Sequence, residues 1–340
     1  MTPTNEKDIT VLAGDIGGTK TGLALYSSQK GLRSPLAREN FSSRDFTGLE
    51  AIVKEFLLRH DIHIDRACFG VAGPVVSGQA KITNLPWVIN ETALAQSLGI
   101  QSVCLLNDVT AFANAVPLLE ENDLHLINRG ESAPRGAMAV VAPGTGLGEA
   151  YLVWDGLLYR AFPSEGGHAD FAPKNPLETD LLDYLSHRFD HVSYERVCSG
   201  MGLANIHAYF QKAGHECNPS CFAEQLSTAE DPVPHIIRGA LADRQPCSLC
   251  KKTLETFVSI LGAEAGNMAL KTMATGGVYL GGGIPPRILP VLESGHFLRA
   301  FVRKGRMSDL MKTIPVYVIL HPDAALLGAA RRAMTTRKTI

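Results

Sequence analysis

Two stretches of the chain share one pattern of apolar and polar positions: an apolar run, a turn rich in glycine and threonine, and a second apolar run. The first covers residues 9–26 and contains Gly14-Asp15-Ile16-Gly17-Gly18-Thr19, and the second covers residues 139–153 and contains Gly144-Thr145-Gly146-Leu147-Gly148. Each pattern predicts a β-hairpin. Glycine admits positive φ and close backbone approach, so successive N–H groups in such turns can donate to phosphate oxygens. The repeat therefore predicts two phosphate-binding turns and duplication of one structural unit.

Elsewhere the pattern alternates strands with helices. It predicts strands over residues 66–71, 79–83, 102–106, 277–280 and 314–320, and helices over 48–60, 91–98, 109–119, 249–271 and 324–334, with helical segments near 180–189 and 202–211. Thr47 and Glu50 have the spacing of a capping box for the first of these helices. Residues 214–243 have weak periodicity and are predicted to be rich in loops. The alternation favours the α/β class.

Length and composition narrow the picture further. A chain of 340 residues exceeds what one core usually fills, so two domains are expected. The net charge of −2 argues against a nucleic-acid partner. The polar residues 1–8 run directly into the first strand without a signal-peptide core, and no window reaches about 18 uncharged apolar residues. We expect a cytoplasmic protein with no membrane segment.

The cysteines offer one possible metal site. The seven are Cys68, Cys104, Cys198, Cys217, Cys221, Cys247 and Cys250. His215, Cys217, Cys221, Cys247 and Cys250 could in principle bind zinc, but a structural zinc site usually shows two closely spaced ligand pairs with tight flanking turns. Reduced, non-catalytic thiols are the expectation.

The first turn nearly fits a phosphate-binding P-loop, but Thr19 stands where that motif needs glycine. A P-loop opens a helix, whereas the residues after Thr21 alternate like a strand. A hairpin turn is therefore the expected mechanism of phosphate binding, and Asp15 can hold Mg²⁺ directly or through water. An Asx turn is the alternative role for Asp15. The run Gly281-Gly282-Gly283 can approach a flat ligand such as adenine or ribose, or can serve as a helix entry loop.

A group of polar side chains in turns and at helix starts exceeds what a nucleotide site needs. Its members are Asn84, Asn107, Asp108, Glu165, His168 and Glu195. Paired carboxylates and amides match the vicinal hydroxyls of a sugar. Asp108 follows a strand and opens a helix, so it is the best candidate for the base that deprotonates an attacking hydroxyl, although a helix cap is the simpler interpretation.

Taken together, these motifs resemble the bacterial glucokinase family, the ATP-dependent glucose kinases of the hexokinase/actin-like superfamily. The similarity runs over nearly the whole chain. It rests on the two turns, Thr83-Asn84-x-x-Trp87, Asn107-Asp108, Glu165-Gly166-Gly167-His168-x-Asp170-Phe171-Ala172-Pro173, Glu195-Arg196-Val197-x-Ser199-Gly200 and Gly281-Gly282-Gly283-Ile284.

The resemblance implies a two-domain actin-like ATPase (ribonuclease H-like) fold with an interdomain active-site cleft and a homodimer. Residues 1–118 and 321–340 would form a small α/β domain, and residues 119–320 a larger one. It implies Asp108 as the base on the glucose 6-hydroxyl, with the sugar bound by Asn84, Asn107, Asp108, Glu165, His168 and Glu195. ATP and Mg²⁺ would be bound through Gly14, Asp15, Gly17, Gly18, Thr19, Gly144, Thr145, Gly282 and Gly283.

One segment departs from the family pattern. Family members often carry Asn-Ala-Arg after Gly-Gly-Thr, whereas this chain has Lys20-Thr21-Gly22. Lys20 is similar to the related ROK sugar kinases, but residues 171–176 lack the cysteines that those proteins use for zinc. The alternatives are a kinase of the same fold acting on an N-acetylated hexosamine or another hexose, or using polyphosphate. A sugar-sensing regulator or an assembling protein is a non-enzymatic alternative.

Overall fold

The computed structural model describes residues 8–215 and 229–335. Within that range the chain divides into two compact units. The first unit contains residues up to 120, the short segment 159–163 and the residues from 321 onward. The second contains residues 121–158 and 164–320. The segment 159–163 is thus grouped with the first unit, whereas the sequence assigned it to the larger domain.

The strands are β1 (Thr10–Ile16), β2 (Lys20–Ser27), β3 (Ala37–Ser42), β4 (Arg66–Val71), β5 (Val75–Val76), β6 (Gln79–Lys81), β7 (Val88–Asn90), β8 (Ser102–Asn107), β9 (Leu124–Asn128), β10 (Met138–Pro143), β11 (Leu147–Trp154), β12 (Tyr159–Ser164), β13 (Gly277–Leu280) and β14 (Val316–Ile319). The helices are α1 (Leu49–His60), α2 (Glu91–Leu98), α3 (Asp108–Ala115), α4 (Pro176–Ser186), α5 (Gly200–Lys212), α6 (Val233–Ala240), α7 (Ser248–Thr272), α8 (Leu289–Leu292), α9 (His296–Val302), α10 (Ser308–Thr313) and α11 (Ala324–Thr335). Short 3₁₀ segments include Ser43–Asp45, Gly166–His168 and Tyr194–Arg196.

The first unit is built on a sheet in the order β3-β2-β1-β4-β8. β1 and β2 form an antiparallel hairpin, and β4 and β8 continue the sheet in parallel. The side chains of β1 alternate between two apolar clusters. Leu12 packs in the cluster that contains Phe56 of α1, and Val11 packs with Ala329 of α11. Each face of the sheet is therefore covered by helices.

The second unit repeats this arrangement. β10 and β11 form an antiparallel hairpin, and β13 and β14 lie parallel on the other side of β10. β9 pairs antiparallel with β14. The central helix α7 contributes Leu254, Phe257 and Leu261 to the core of this unit. Both predicted hairpins are confirmed, and each occupies the same position relative to the parallel strands.

Several local predictions need correction. The capping box at Thr47 is wrong, since α1 is preceded by Gly48 and no side chain caps it. The helix after Asp108 ends at Ala115, because Pro117 follows in a 3₁₀ turn. The loop-rich segment contains α6. The sequence also missed the start of α4, where Asn175 caps the helix and Pro176 occupies its first turn.

The candidate zinc ligands divide into three groups. The Nε2 of His215 lies 2.8 Å from the Lys252 Nζ. Cys217 and Cys221 lie outside the described residues. Cys247 and Cys250 are buried, and the Cys247 sulfur accepts the N–H of Cys250 at the start of α7. These two thiols therefore belong to the core of the second unit. Among the helices of the described chain, none is both long enough and apolar enough to span a bilayer.

Candidate active site

The first hairpin turn joins β1 to β2 and is held in place by Ser43, the residue that follows β3. The Gly17 N–H donates to the Lys20 carbonyl at 3.0 Å. Ser43, which is buried, donates its N–H to the Thr19 carbonyl at 2.9 Å and its hydroxyl to the Gly17 carbonyl at 2.8 Å. The N–H groups of Gly18 and Thr19 donate to no other residue of the described chain. The turn thus presents two rigidly held donors, as a phosphate site requires.

Asp15 is the next-to-last residue of β1 and lies in an acidic environment. Burial and the negative charges of Asp108 and Asp323 together raise the pKa of its carboxyl to about 6, against the opposing charge of Lys20. Asp323 also pairs with Arg38. A divalent cation would offset the repulsion among these carboxylates, so the donor set fits Mg²⁺, which prefers oxygen ligands.

The junction of β8 and α3 places Asp108 beside this turn. Asn107, rather than Asp108, is the cap: its Oδ1 accepts the N–H groups of Val109 and Thr110 at 3.0 and 3.3 Å. Its Nδ2 donates to the Gly73 carbonyl at 3.3 Å. Asp108 is the first helical residue, where the helix dipole favours the carboxylate form. A helix cap was the simpler interpretation of Asp108: Asn107 is the cap residue, and the Asp108 Oδ1 also accepts the N–H of Val109 at 2.8 Å.

Asn84 also lies at the first turn. It is exposed and has a positive φ of 65°, a conformation that asparagine tolerates. A Cβ on Gly18 would lie 2.9 Å from the Thr83 carbonyl oxygen and 3.3 Å from the Asn84 Cβ. The loop carrying Asn84 therefore rests directly against Gly18. The first unit brings together Asp15, Gly17, Gly18, Thr19, Asn84, Asn107 and Asp108.

The second turn joins β10 to β11 and lies against the start of α5. The Gly144 N–H donates to the Gly146 carbonyl, and the Gly144 carbonyl accepts the N–H of Gly200, both at 2.8 Å. The Thr145 N–H donates to no described residue. The N-terminus of a helix adjoins the turn, and its partial positive charge favours anions.

Glu195 is held at the same turn. Its carboxylate accepts the N–H of Leu147 at 3.0 Å, and its carbonyl accepts the Ser199 hydroxyl at 2.7 Å. Ser199 also caps α5 by accepting the N–H of Gly202 at 3.1 Å. The candidate sugar ligand and the candidate phosphate turn are thus parts of one hydrogen-bonded unit.

The glycine run after β13 lies beside the end of β10. The Gly281 N–H donates to the Val141 carbonyl at 2.9 Å. Gly282 has a φ of 79°, and a Cβ there would lie 2.5 Å from the Pro143 carbonyl oxygen. A Cβ on Gly283 would meet nothing within 4 Å. Gly282 is required by the fold, whereas Gly283 leaves open surface next to the second turn.

Glu165 directly precedes the 3₁₀ segment Gly166–His168, and His168 is its last residue. Both side chains are exposed, and the His168 Nε2 lies 3.9 Å from Glu165 Oε2. A Cβ on Gly167 would overlap the Leu147 carbonyl oxygen, so this segment lies against the first residue of β11. The second unit therefore gathers Gly144, Thr145, Glu165, His168, Glu195, Gly282 and Gly283 around the ends of β10 and β11.

Sequence reasoning missed three residues that support these segments. Ser43 belongs to no motif, and Ser199 belongs to the Glu195–Gly200 motif but was given no role; the contacts of both arise only from the fold. Glu149 is buried on β11, one residue after the second glycine turn. A carboxylate at an inward position of an apolar strand was the signal that could have identified it.

The duplicated sheet topology, with a Gly/Thr hairpin turn in each unit and a strand-end aspartate in the first, defines a kinase of the hexokinase/actin-like ATPase class. A family model described as Glucokinase matches residues 12–336. A curated glucokinase of Nostoc punctiforme is 42% identical over 335 residues, covering 94% of this chain and 97% of its own. The chain belongs to the glucokinase family of ATP-dependent hexose kinases.

Solved structures agree with the fold. The crystal structure of a glucokinase from an Antarctic psychrotroph has a TM-score of 0.81 at 31% identity, covering 96% of this chain and 99% of its own. A ROK-family glucokinase from Streptomyces griseus, solved with glucose and AMPPNP, has a TM-score of 0.64 at 19% identity, covering 96% of this chain and 100% of its own. The predicted family, the α/β actin-like fold and the glucokinase activity are confirmed.

Proposed function

We propose that the chain transfers the γ-phosphoryl group of ATP to the 6-hydroxyl of D-glucose, with Asp108 as the general base. The observation that carries this assignment is the position of Asp108 at the first residue of α3, beside the Asp15 turn. Phosphoryl transfer needs alignment, charge neutralisation and a carboxylate near the attacking hydroxyl. The first unit supplies the residues for charge neutralisation and the carboxylate near the attacking hydroxyl.

The donor side of the reaction rests on the two hairpin turns. The free N–H groups of Gly18, Thr19 and Thr145 would donate to phosphate oxygens, and the start of α5 would add its dipole at the second turn. Gly282 and Gly283 would lie against the adenosine. The ROK-family structure with AMPPNP shows that this fold accommodates an ATP analogue.

Mg²⁺ is the proposed metal, with Asp15 as its protein ligand, directly or through water. When bound, the ion would neutralise charge that develops on the phosphate oxygens. Asp15 fits this role because its carboxylate has acidic neighbours and lies at the end of a buried strand. The site also holds Asp323, which raises the pKa of Asp15 and which the sequence did not single out.

The acceptor side rests on side chains that can bind sugar hydroxyls. Glu165 and His168 are exposed and adjacent, and Glu195 is oriented by the Leu147 N–H. Asn84 would add a further donor and acceptor. The Oδ1 of Asn107 is occupied by the helix cap, so its contribution would come through Nδ2. A carboxylate and an amide that bind hydroxyls in pairs favour a hexose substrate.

The base step follows from the chemistry of Asp108. Its carboxylate would accept the 6-hydroxyl proton as the oxygen attacks the γ-phosphorus, and the helix N-terminus would help keep it ionised before the transfer. Asn107 would fix the backbone at this point through its cap. The protein thereby contributes orientation and proton transfer, and the remaining barrier is lowered by electrostatics.

The test is a panel of sugars and donors with the purified full chain. ATP, Mg²⁺ and glucose should give ADP and glucose 6-phosphate, identified by product analysis, with far lower turnover for N-acetylglucosamine or with polyphosphate as donor. A site that hydrogen-bonds a hydroxyl can reject an analogue lacking it by a factor of about 10⁴. Turnover with every sugar except glucose would overturn the substrate assignment, and turnover only with polyphosphate would overturn the donor.

Two further properties are proposed on the family resemblance. The first is a homodimer, which light scattering of the purified chain would test and a monomer mass would contradict. The second is a cytoplasmic location, where ATP is available, which fractionation of the source cells would test.

A further inference from the structure

A buried carboxyl pair lies beneath the segments that carry the proposed sugar ligands. Glu149 of β11 is 1% exposed and Glu264 of α7 is fully buried. Neither Glu149 oxygen accepts a hydrogen bond from an N–H or hydroxyl of the described chain. The neighbouring ionisable group is the carboxyl of Glu264, whose negative charge raises the pKa of Glu149. Ionising two buried carboxylates together is costly, which favours the retention of one proton by the pair.

The surroundings of the pair favour the retention of that proton on Glu149. Burial and then the charge of Glu264 raise the pKa of Glu149 to about 8, and burial also raises the pKa of Glu264. Glu264 accepts the amide N–H of Asn267 at 2.9 Å. The titratable and charged groups that face the pair are Lys271, Lys304, Tyr194 and Cys198, and the Lys271 Nζ lies 3.9 Å from Glu264 Oε1. Burial lowers the pKa of Lys304 to about 8.

Glu149 supports the segment that carries Glu165 and His168. A Cβ on Gly166 would overlap Glu149 Oε2, so the glycine backbone rests directly on the carboxyl group. The Gly166 N–H donates to the Ser164 hydroxyl at 3.0 Å. A change of charge or size at Glu149 should therefore displace the turn between Glu165 and His168.

Glu264 supports the other segment. The amide of Asn267, which donates to Glu264, also donates to the Tyr194 hydroxyl at 3.0 Å, so Asn267 links Glu264 to Tyr194. Tyr194 directly precedes Glu195, the residue that accepts the Leu147 N–H. One acid pair thus lies under both segments of the second unit that we assign to the sugar.

We propose that Glu149 and Glu264 share one proton and that this neutralised pair positions the Glu165–His168 and Tyr194–Glu195 segments, so that glucose affinity depends on its protonation. The proposal rests on the sugar-binding roles assigned above. Glu149 is a positioning residue, since it reaches the substrate only through Gly166. Loss of the shared proton would place two negative charges in a sealed site and displace the segments that rest on it.

The decisive experiment measures glucose affinity against pH. With a pKa of about 8, the protonated fraction of Glu149 falls about tenfold between about pH 7 and pH 9, so the KM for glucose should rise about tenfold. Glu149→Gln keeps the size and a donor without a titrating group, so its KM should be nearly the same at both pH values. Glu149→Ala should raise KM at both.

A matched control is Glu178→Gln. Glu178 is also 1% exposed and in the same unit, but its carboxylate already accepts the Lys174 and Asn175 N–H groups at 2.9 Å. That variant should keep the alkaline rise in KM. A wild-type KM that is flat across this range, or a rise that persists in Glu149→Gln, overturns the proposal. So does a rise that Lys304→Arg abolishes, because the titrating group would then be Lys304.

A second measurement does not depend on a variant that folds. Infrared spectra of wild-type protein labelled with ¹³C-glutamate should show a protonated carboxyl band at about pH 7 that falls about tenfold by about pH 9. Absence of that band at neutral pH overturns the shared proton. Wild-type protein that fails to phosphorylate glucose would instead overturn the proposed function, and the infrared result would still report on the pair.

Discussion

The carbonyl of Gly144 accepts the N–H of Gly200 at 2.8 Å, which joins the second hairpin turn to the first residue of α5. The preceding residue, Ser199, caps that helix and also donates to the Glu195 carbonyl. A candidate phosphate turn and a candidate sugar ligand thereby share one helix terminus. A small displacement of that terminus should disturb both ligands.

Ser199→Ala should therefore lower both stability and glucose affinity. Loss of a helix cap costs about 1 kcal/mol, and loss of the hydroxyl bond frees the Glu195 backbone, so KM for glucose should rise. Thermal unfolding and steady-state kinetics measure the two effects. Asn175→Ala removes the cap of α4 in the same unit and should lose similar stability without a change in KM. Equal KM effects in both variants would contradict the local role of Ser199.

Asp108→Asn should retain glucose binding and lose turnover. Removal of a general base typically costs a factor of about 10² or more in kcat, while the amide preserves the size of the side chain and the cap by Asn107. Rapid-quench kinetics and glucose titration by calorimetry separate the chemical step from binding. Near-normal kcat would remove Asp108 from the base role.

Asp15→Asn should stabilise the ligand-free protein at neutral pH while reducing catalysis. The pKa of Asp15 is raised from 3.8 to about 6, so its contribution to stability is present below about pH 4 and is lost as pH rises through about 6. The variant does not lose this stability, because its amide side chain does not ionise. Its melting temperature should exceed that of the wild type at about pH 7.5, and the difference should disappear near pH 4.

The control for this prediction is Asp61→Asn. Asp61 is exposed, ends α1 and has a φ of 45° that asparagine also adopts. This variant should melt like the wild type at both pH values and keep full activity. A melting difference for Asp15→Asn that is the same at both pH values would rule out the charge repulsion as its cause.

Gly282→Ala should lower the stability of the protein, whereas Gly283→Ala should change its KM for ATP. A Cβ at position 282 meets the Pro143 carbonyl in a backbone conformation that favours glycine, so overpacking should cost about 1–3 kcal/mol. A Cβ at position 283 has open space, so the fold should be kept while KM for ATP rises, if adenosine lies there. Unfolding curves and ATP kinetics check both. Unchanged KM in Gly283→Ala would argue against the adenosine assignment.

Gly328→Ala tests the packing behind Asp108. A Cβ there would overlap the Ala111 carbonyl oxygen of α3, which is backbone and cannot rotate away. The helices α3 and α11 should separate, with a destabilisation of at least about 1–3 kcal/mol. Chemical denaturation measures the loss. A variant as stable as the wild type would show that the two helices do not need this close approach.

The two hairpins, the α/β class and the family could be predicted from the amino-acid sequence, which also proposed most of the residues of the candidate site. These follow from local properties: the period of apolar positions, glycine where the backbone must turn, and motifs that are contiguous in the chain. Even Asp108 was located from its strand-to-helix junction. Local rules failed where signals competed, as at Thr47, where Gly48 precedes the helix instead.

The distant residues that support the site could not be predicted from the sequence and became visible in the folded chain. Ser43 braces the first turn across a hairpin, and Asp323 approaches Asp15 from the other end of the chain. The pairing of Glu149 with Glu264 joins residues that are 115 positions apart in sequence. Such contacts depend on how strands and helices pack in three dimensions, and burial then changes the pKa of groups whose sequence neighbours are ordinary. No local pattern contains that information.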